Sequence, residues 1–153
     1  MKGLAAFQRS LAGHRRVAVD AGVFAAYLSA EPRRGPLGLA LFEEVERGRL
    51  HAITSVLTMM SLLEGPHRRR DLEAATELAF LVPTFPNLEL VPLTLPIAER
   101  AAHYRAAHTL SDAAAILAAT ARGAGAELLL ATDPALRALA GELEVLVLDD
   151  FVA

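Results

Sequence analysis

Two aspartates stand where a folded chain could use them for chemistry. Asp20 directly follows the apolar triplet Val17-Ala18-Val19, and Asp133 comes soon after Leu128-Leu129-Leu130. In an open parallel sheet, ligands gather beyond the C-terminal ends of the strands. Carboxylates from two such ends could share a hard cation, because Mg2+ takes oxygen ligands. The same residues also suit a structural role. Asp133 precedes Pro134, Asp20 precedes Ala21-Gly22, and aspartate is a favoured helix N-cap. Other chemistry is thinly supplied. His14, His51, His67, His103 and His108 show no ligand spacing, and the five-residue gap between the last two does not put them on one helix face. The run His67-Arg68-Arg69-Arg70 could touch phosphates. It reads first as a solvated helix start, since it is short and the net charge is -3. Met59 and Met60 read as core filler; Phe24 and Tyr27 read as core or dimer contacts. The absence of cysteine excludes disulfides, thiolate metal sites and cysteine catalysis, and fits a reducing, cytoplasmic compartment. There is no GxGxxG, Walker A or GxSxG motif.

The elements that must position the aspartates follow from the apolar pattern. Short apolar runs at Val17–Val19, Leu50–Thr54, Leu88–Val91, Glu127–Ala131 and Glu144–Leu148 read as strands. Alanine-rich, helix-period segments lie between them: Gly22–Ala30, Pro36–Arg47, Ser55–Glu64 (stopped by Gly65-Pro66), Arg70–Val82 (stopped by Pro83), Pro96–Ala107, Ser111–Ala124 and the short Pro134–Ala140. Alternation of this kind predicts an α/β fold: a central parallel sheet of about five strands flanked by helices on both faces. A length of 153 residues with 54% hydrophobic and 22% charged residues fits one ordered domain over 1–153, with 1–15 as an N-terminal extension forming a short helix. No apolar run reaches the roughly 18 residues of a membrane span. Mean hydropathy is high, at +0.36, which points to an apolar patch covered in a homodimer or by a partner.

The segment Val17-Ala18-Val19-Asp20-Ala21-Gly22-Val23-Phe24-Ala25-Ala26-Tyr27-Leu28 resembles the opening motif of PIN domains, many of which are VapC-like toxins of toxin–antitoxin pairs. The resemblance continues through Thr54–Pro66, Ala114–Asp133 and Leu143–Phe151, in the family's order and spacing. It implies a PIN-like single domain and, in members that cut RNA, an acidic cluster holding Mg2+ or Mn2+. Carried over residue by residue, Asp20 matches the first acid and Asp133 the fourth. The hydroxyl residues that commonly follow the first acid are here Ala21 and Gly22, and the Thr often found two residues before the fourth is Ala131. The second acid stands three residues after a Thr; counting from Thr58 reaches Ser61. The third opens the alanine-rich helix, where the register places Ala114.

Two carboxylates could substitute. Glu64 lies one turn beyond Ser61 on the same face, displaced by roughly 4.5 Å. Asp112 precedes Ala114 by two residues, about 200° around a helix, and either it or Ser111 suits the cap of that helix. The resemblance therefore implies a VapC-like ribonuclease whose metal site is degenerate, retaining Asp20 and Asp133 and binding Mg2+ or Mn2+ weakly. The alternatives are an active endoribonuclease helped by Asp112 or Glu64, and a non-catalytic module that dimerises or binds RNA or protein. The partners to expect are a second copy, an antitoxin-type protein and RNA, and no membrane.

Overall fold

The computed structural model describes residues 2–153. Five parallel strands form one sheet: β1 (Arg16–Val19), β2 (His51–Ser55), β3 (Leu88–Val91), β4 (Leu128–Ala131) and β5 (Glu144–Val147), in the spatial order β3-β2-β1-β4-β5. The central pair aligns Val17 with Leu128 and Val19 with Leu130, so β1 and β4 end side by side. Val17, Ala18, Val19, Leu128, Leu129 and Leu130 have no solvent exposure. A strand buried on both faces has no polar side to show, which is why these runs do not alternate.

Among the described residues, seven α-helices cover the sheet: α1 (Gly3–Leu11), α2 (Ala21–Leu28), α3 (Gly35–Glu46), α4 (Val56–Arg68), α5 (Leu72–Thr84), α6 (Leu95–Ala107) and α7 (Asp112–Gly123), with 3-10 helices at Pro134–Leu139 and Leu148–Asp150. One core layer joins α1, α2 and α3 to the sheet through Phe7, Val23, Leu41 and Leu130. Phe24, Tyr27 and Phe85 crowd Phe42 there, with ring centroids 4.6–5.5 Å apart. The opposite layer packs α6 and α7 on Ala18, Leu129 and Ala131. In α7, the small side chains of Ala115, Ala118, Ala119 and Ala121 let the helix lie close on the sheet. The segment ahead of β1 packs into the core: Phe7 of α1 meets Phe151 at 5.3 Å between ring centroids.

Three boundaries differ from the sequence reading. Helix α4 continues through Gly65-Pro66 to Arg68, and α5 contains Pro83. A proline in the last turn removes one backbone rung, and nearby tertiary contacts decide whether the helix survives it. Pro66 is buried, Val82 is 2% exposed, and the Thr84 hydroxyl caps the Phe80 carbonyl at 2.7 Å. The basic run therefore closes α4 rather than opening α5, where His67 and Arg68 oppose the negative end of the helix dipole. Helix α5 starts instead at Leu72, after Asp71, whose side chain accepts from Ala74 N at 3.1 Å as its cap.

Candidate functional site

A hollow of about 130 Å3 opens at the C-terminal edge of β1 and β4. Asp20 and Asp133 line it from the strand ends, Ser61 and Thr58 from α4, and Ala114 and Leu117 from α7. The four positions that the motif register singles out thus meet around one space. Asp112 and Glu64 are not among the residues lining it. Asp112 Oδ1 lies 2.6 Å from Arg105 Nη1, with the side chain 78% exposed. Glu64 Oε1 lies 2.6 Å from Arg68 Nη2, one turn on along α4.

Asp20 is buried and heavily engaged. Its Oδ1 accepts from Val23 N at 2.9 Å, capping α2. Its Oδ2 accepts from Thr132 N at 2.7 Å and from the Thr132 hydroxyl at 3.1 Å. Its own N–H donates to Leu130 O at 3.1 Å. Burial pushes the Asp20 carboxyl above the usual range, and the hydrogen bonds from Thr132 and Val23 pull against that shift. Asp133 is half-buried, and its Oδ1 accepts from Ala135 N at 2.9 Å, capping the 3-10 helix.

The remaining walls carry hydroxyls and methyls. Ser61 sits in the middle of α4 and donates weakly to the Leu57 carbonyl at 3.5 Å. Ala114 sits in the first turn of α7, its N–H donated to the Ser111 cap at 3.1 Å. Beneath the hollow, the buried Thr54 hydroxyl donates to Val19 O at 2.7 Å and meets the Thr58 hydroxyl at 2.7 Å, tying β2 and α4 to the end of β1. Outside it, a bidentate pair joins Arg34 to Asp149 at 2.7 Å for each bond. That guanidinium holds Asp149 below the usual carboxylate range.

Thr132 is the residue that sequence reasoning misses. The motif points to Ala131, two residues before Asp133, and passes over Thr132 directly beside it. The partner of Thr132 is 112 positions away, so only the β1–β4 pairing brings the two together.

The family model described as the PIN domain matches residues 17–142. No curated protein is similar enough in sequence to match. Among solved structures, FitAcB from Neisseria gonorrhoeae superposes with a TM-score of 0.68 at 16% identity, covering 86% of this chain and 97% of that one. A toxin–antitoxin complex from Klebsiella pneumoniae gives 0.60 at 19% identity, with the same coverages of 86% and 97%. VapC20 from Mycobacterium tuberculosis, described as a sarcin–ricin loop cleaving toxin, gives 0.60 at 23% identity, covering 80% and 93%. These likenesses show the fold, and the family match spans most of the chain, from β1 to the turn before β5. On that match, this chain belongs to the PIN-domain family.

Proposed function

We propose that this chain is a VapC-like PIN-domain protein whose metal-dependent ribonuclease chemistry is lost or very weak, and that it acts by binding. One observation carries the reading: the hollow is lined by two carboxylates, with Ser61 and Ala114 in its other walls. Among the described residues, no three His, Cys, Asp or Glu side chains are grouped as a metal site would need. Mg2+ wants six oxygens in near-octahedral array at about 2.1 Å. Of the two carboxylates, Asp20 already accepts three hydrogen bonds, against roughly four lone-pair sites. Resident Mg2+ or Mn2+ fits such a donor set badly, so weak binding is expected.

The partner most consistent with the comparisons is an antitoxin-type protein, since one structural relative is described as a toxin–antitoxin complex. A second copy of the chain is a further candidate. Met60, Leu72, Phe80 and Leu95 are 64–71% exposed, more apolar surface than solvation favours, and covering it would be stabilising. No helix among the described residues is long and apolar enough to cross a membrane.

The test is RNA cleavage in Mg2+ or Mn2+, with chelator and Asp20→Ala as controls. The natural protein is expected to show no metal-dependent cleavage, and the Ser61→Glu, Ala114→Asp double variant to gain it. Cleavage by the natural protein that needs both metal and Asp20 would overturn the reading, and would mean that Asp112 or Glu64 moves in.

A further inference from the structure

We infer that Gly22 and Thr132 form an interlocked pair that fixes the Asp20 carboxylate, Thr132 reaching across from the end of β4 into the space a side chain at position 22 would fill. The pairing goes beyond the proposed function, because it holds whether or not RNA is cut. A Cβ placed on Gly22 would lie 1.9 Å from Thr132 Oγ1, 2.8 Å from its Cβ and 2.9 Å from its Cγ2. Those distances are far inside van der Waals contact, and the obstructing atoms belong to a short, branched side chain that is stiff about χ1. Retreat is closed, because the same hydroxyl is bonded to Asp20.

The backbone does not explain the glycine. Positive φ occurs at Gly3, Gly13, Gly48 and Gly125, not at Gly22. Gly22 lies in the first turn of α2, where alanine is the better helix former. A residue that local propensity disfavours is therefore accounted for by its neighbour across the sheet. Thr132 in turn directs both its N–H and its hydroxyl to one oxygen of Asp20. It acts as a positioning residue: through it, the turn after β4 grips the carboxylate that ends β1.

The test is a double-mutant cycle read by thermal unfolding of the full chain. Gly22→Ala alone is expected to lower Tm by about 5 °C or more, as overpacking does in a domain of this size. In a Thr132→Gly background the same change should cost nothing or raise Tm. The hydroxyl is isolated by two further variants: Thr132→Ser should stay near the natural Tm, and Thr132→Val, equal in shape but unable to donate, should fall below it. If Gly22→Ala alone does not fold, the double variant decides: unfolding at or above the Tm of Thr132→Gly supports the pair. The inference is overturned if Gly22→Ala costs the same in both backgrounds, if it is harmless in the natural protein, or if Thr132→Val matches Thr132→Ser.

Discussion

At the strand-end wall of the hollow, Asp20 and Asp133 each cap the helix that follows them, whereas at the helical wall Ser61 and Ala114 cap nothing. Asp20 also ties the turn after β1 to the turn after β4. A carboxylate in the strand-end wall is held by the fold whatever the chemistry does. One in the helical wall would face the hollow with only a ligand to serve, and in the absence of a cation it would raise the pKa of its neighbours by like-charge repulsion. Serine and alanine there cost the fold nothing. Carboxylates in such a hollow do not by themselves imply catalysis, because Asp20 and Asp133 have structural work of their own.

The comparison breaks most visibly at Asp20. Asp20→Ala removes a cap and leaves the half-buried Thr132 donors without a partner, a loss of roughly 2–4 kcal/mol, read from urea unfolding. Ser61→Ala should be close to neutral in the same assay. Equal costs for the two would erase the distinction between the walls.

The next effect comes from filling the helical wall. With Ser61→Glu and Ala114→Asp together, the metal-free protein should melt below the natural one. Mn2+ should then raise it, by about 2.7 kcal/mol of stabilisation at a 100-fold excess over Kd. The natural protein should respond little to millimolar Mn2+. A clear rise in its Tm would show that the two strand-end carboxylates suffice to hold the ion.

A smaller effect separates the two strand-end residues. Asp133→Ala loses one cap bond at a half-buried site, about 1 kcal/mol, and should fall between Asp20→Ala and Ser61→Ala in unfolding midpoint.

The smallest effect is electrostatic. Asp149 is held below the ordinary carboxylate value of 3.8 chiefly by its hydrogen bonds from Arg34. Its contribution is present above that value and is lost as pH falls through the lowered one. The pair is partly exposed, so solvent screening keeps the effect to at most about 1 kcal/mol. Arg34→Gln should therefore lower stability slightly at neutral pH and converge with the natural protein in acid. Asp20 has the opposite sign. Its raised value means that the native form holds the proton more tightly, so its contribution falls as pH rises from 3.8 through the raised value.

Much of this molecule is written locally in its sequence. The apolar triplets before Asp20 and Asp133 and the alanine-rich segments between strands are short-range signals, and the α/β fold they predict is the one found. The resemblance in the sequence singles out Ser61 and Ala114, and the structure places both around the hollow that Asp20 and Asp133 line. Three features are decided only in three dimensions. Pro66 and Pro83 read as helix stops and are instead carried inside helices. Asp112 and Glu64 read as stand-in ligands, and in the structure each is paired with an arginine away from the hollow.

The third is the grip on Asp20, where a glycine that looks like lost hydroxyl support leaves room for a hydroxyl from elsewhere. The order of the elements and the residue types at the site are legible along the chain, the first from periodicity and the second by direct reading. That β1 lies beside β4, and with it that Gly22 faces Thr132, is settled by the packing of the sheet. The Asp20–Thr132 contact, across 112 residues, is chosen by the burial of whole strands, and the short-range pattern around either residue does not name its partner.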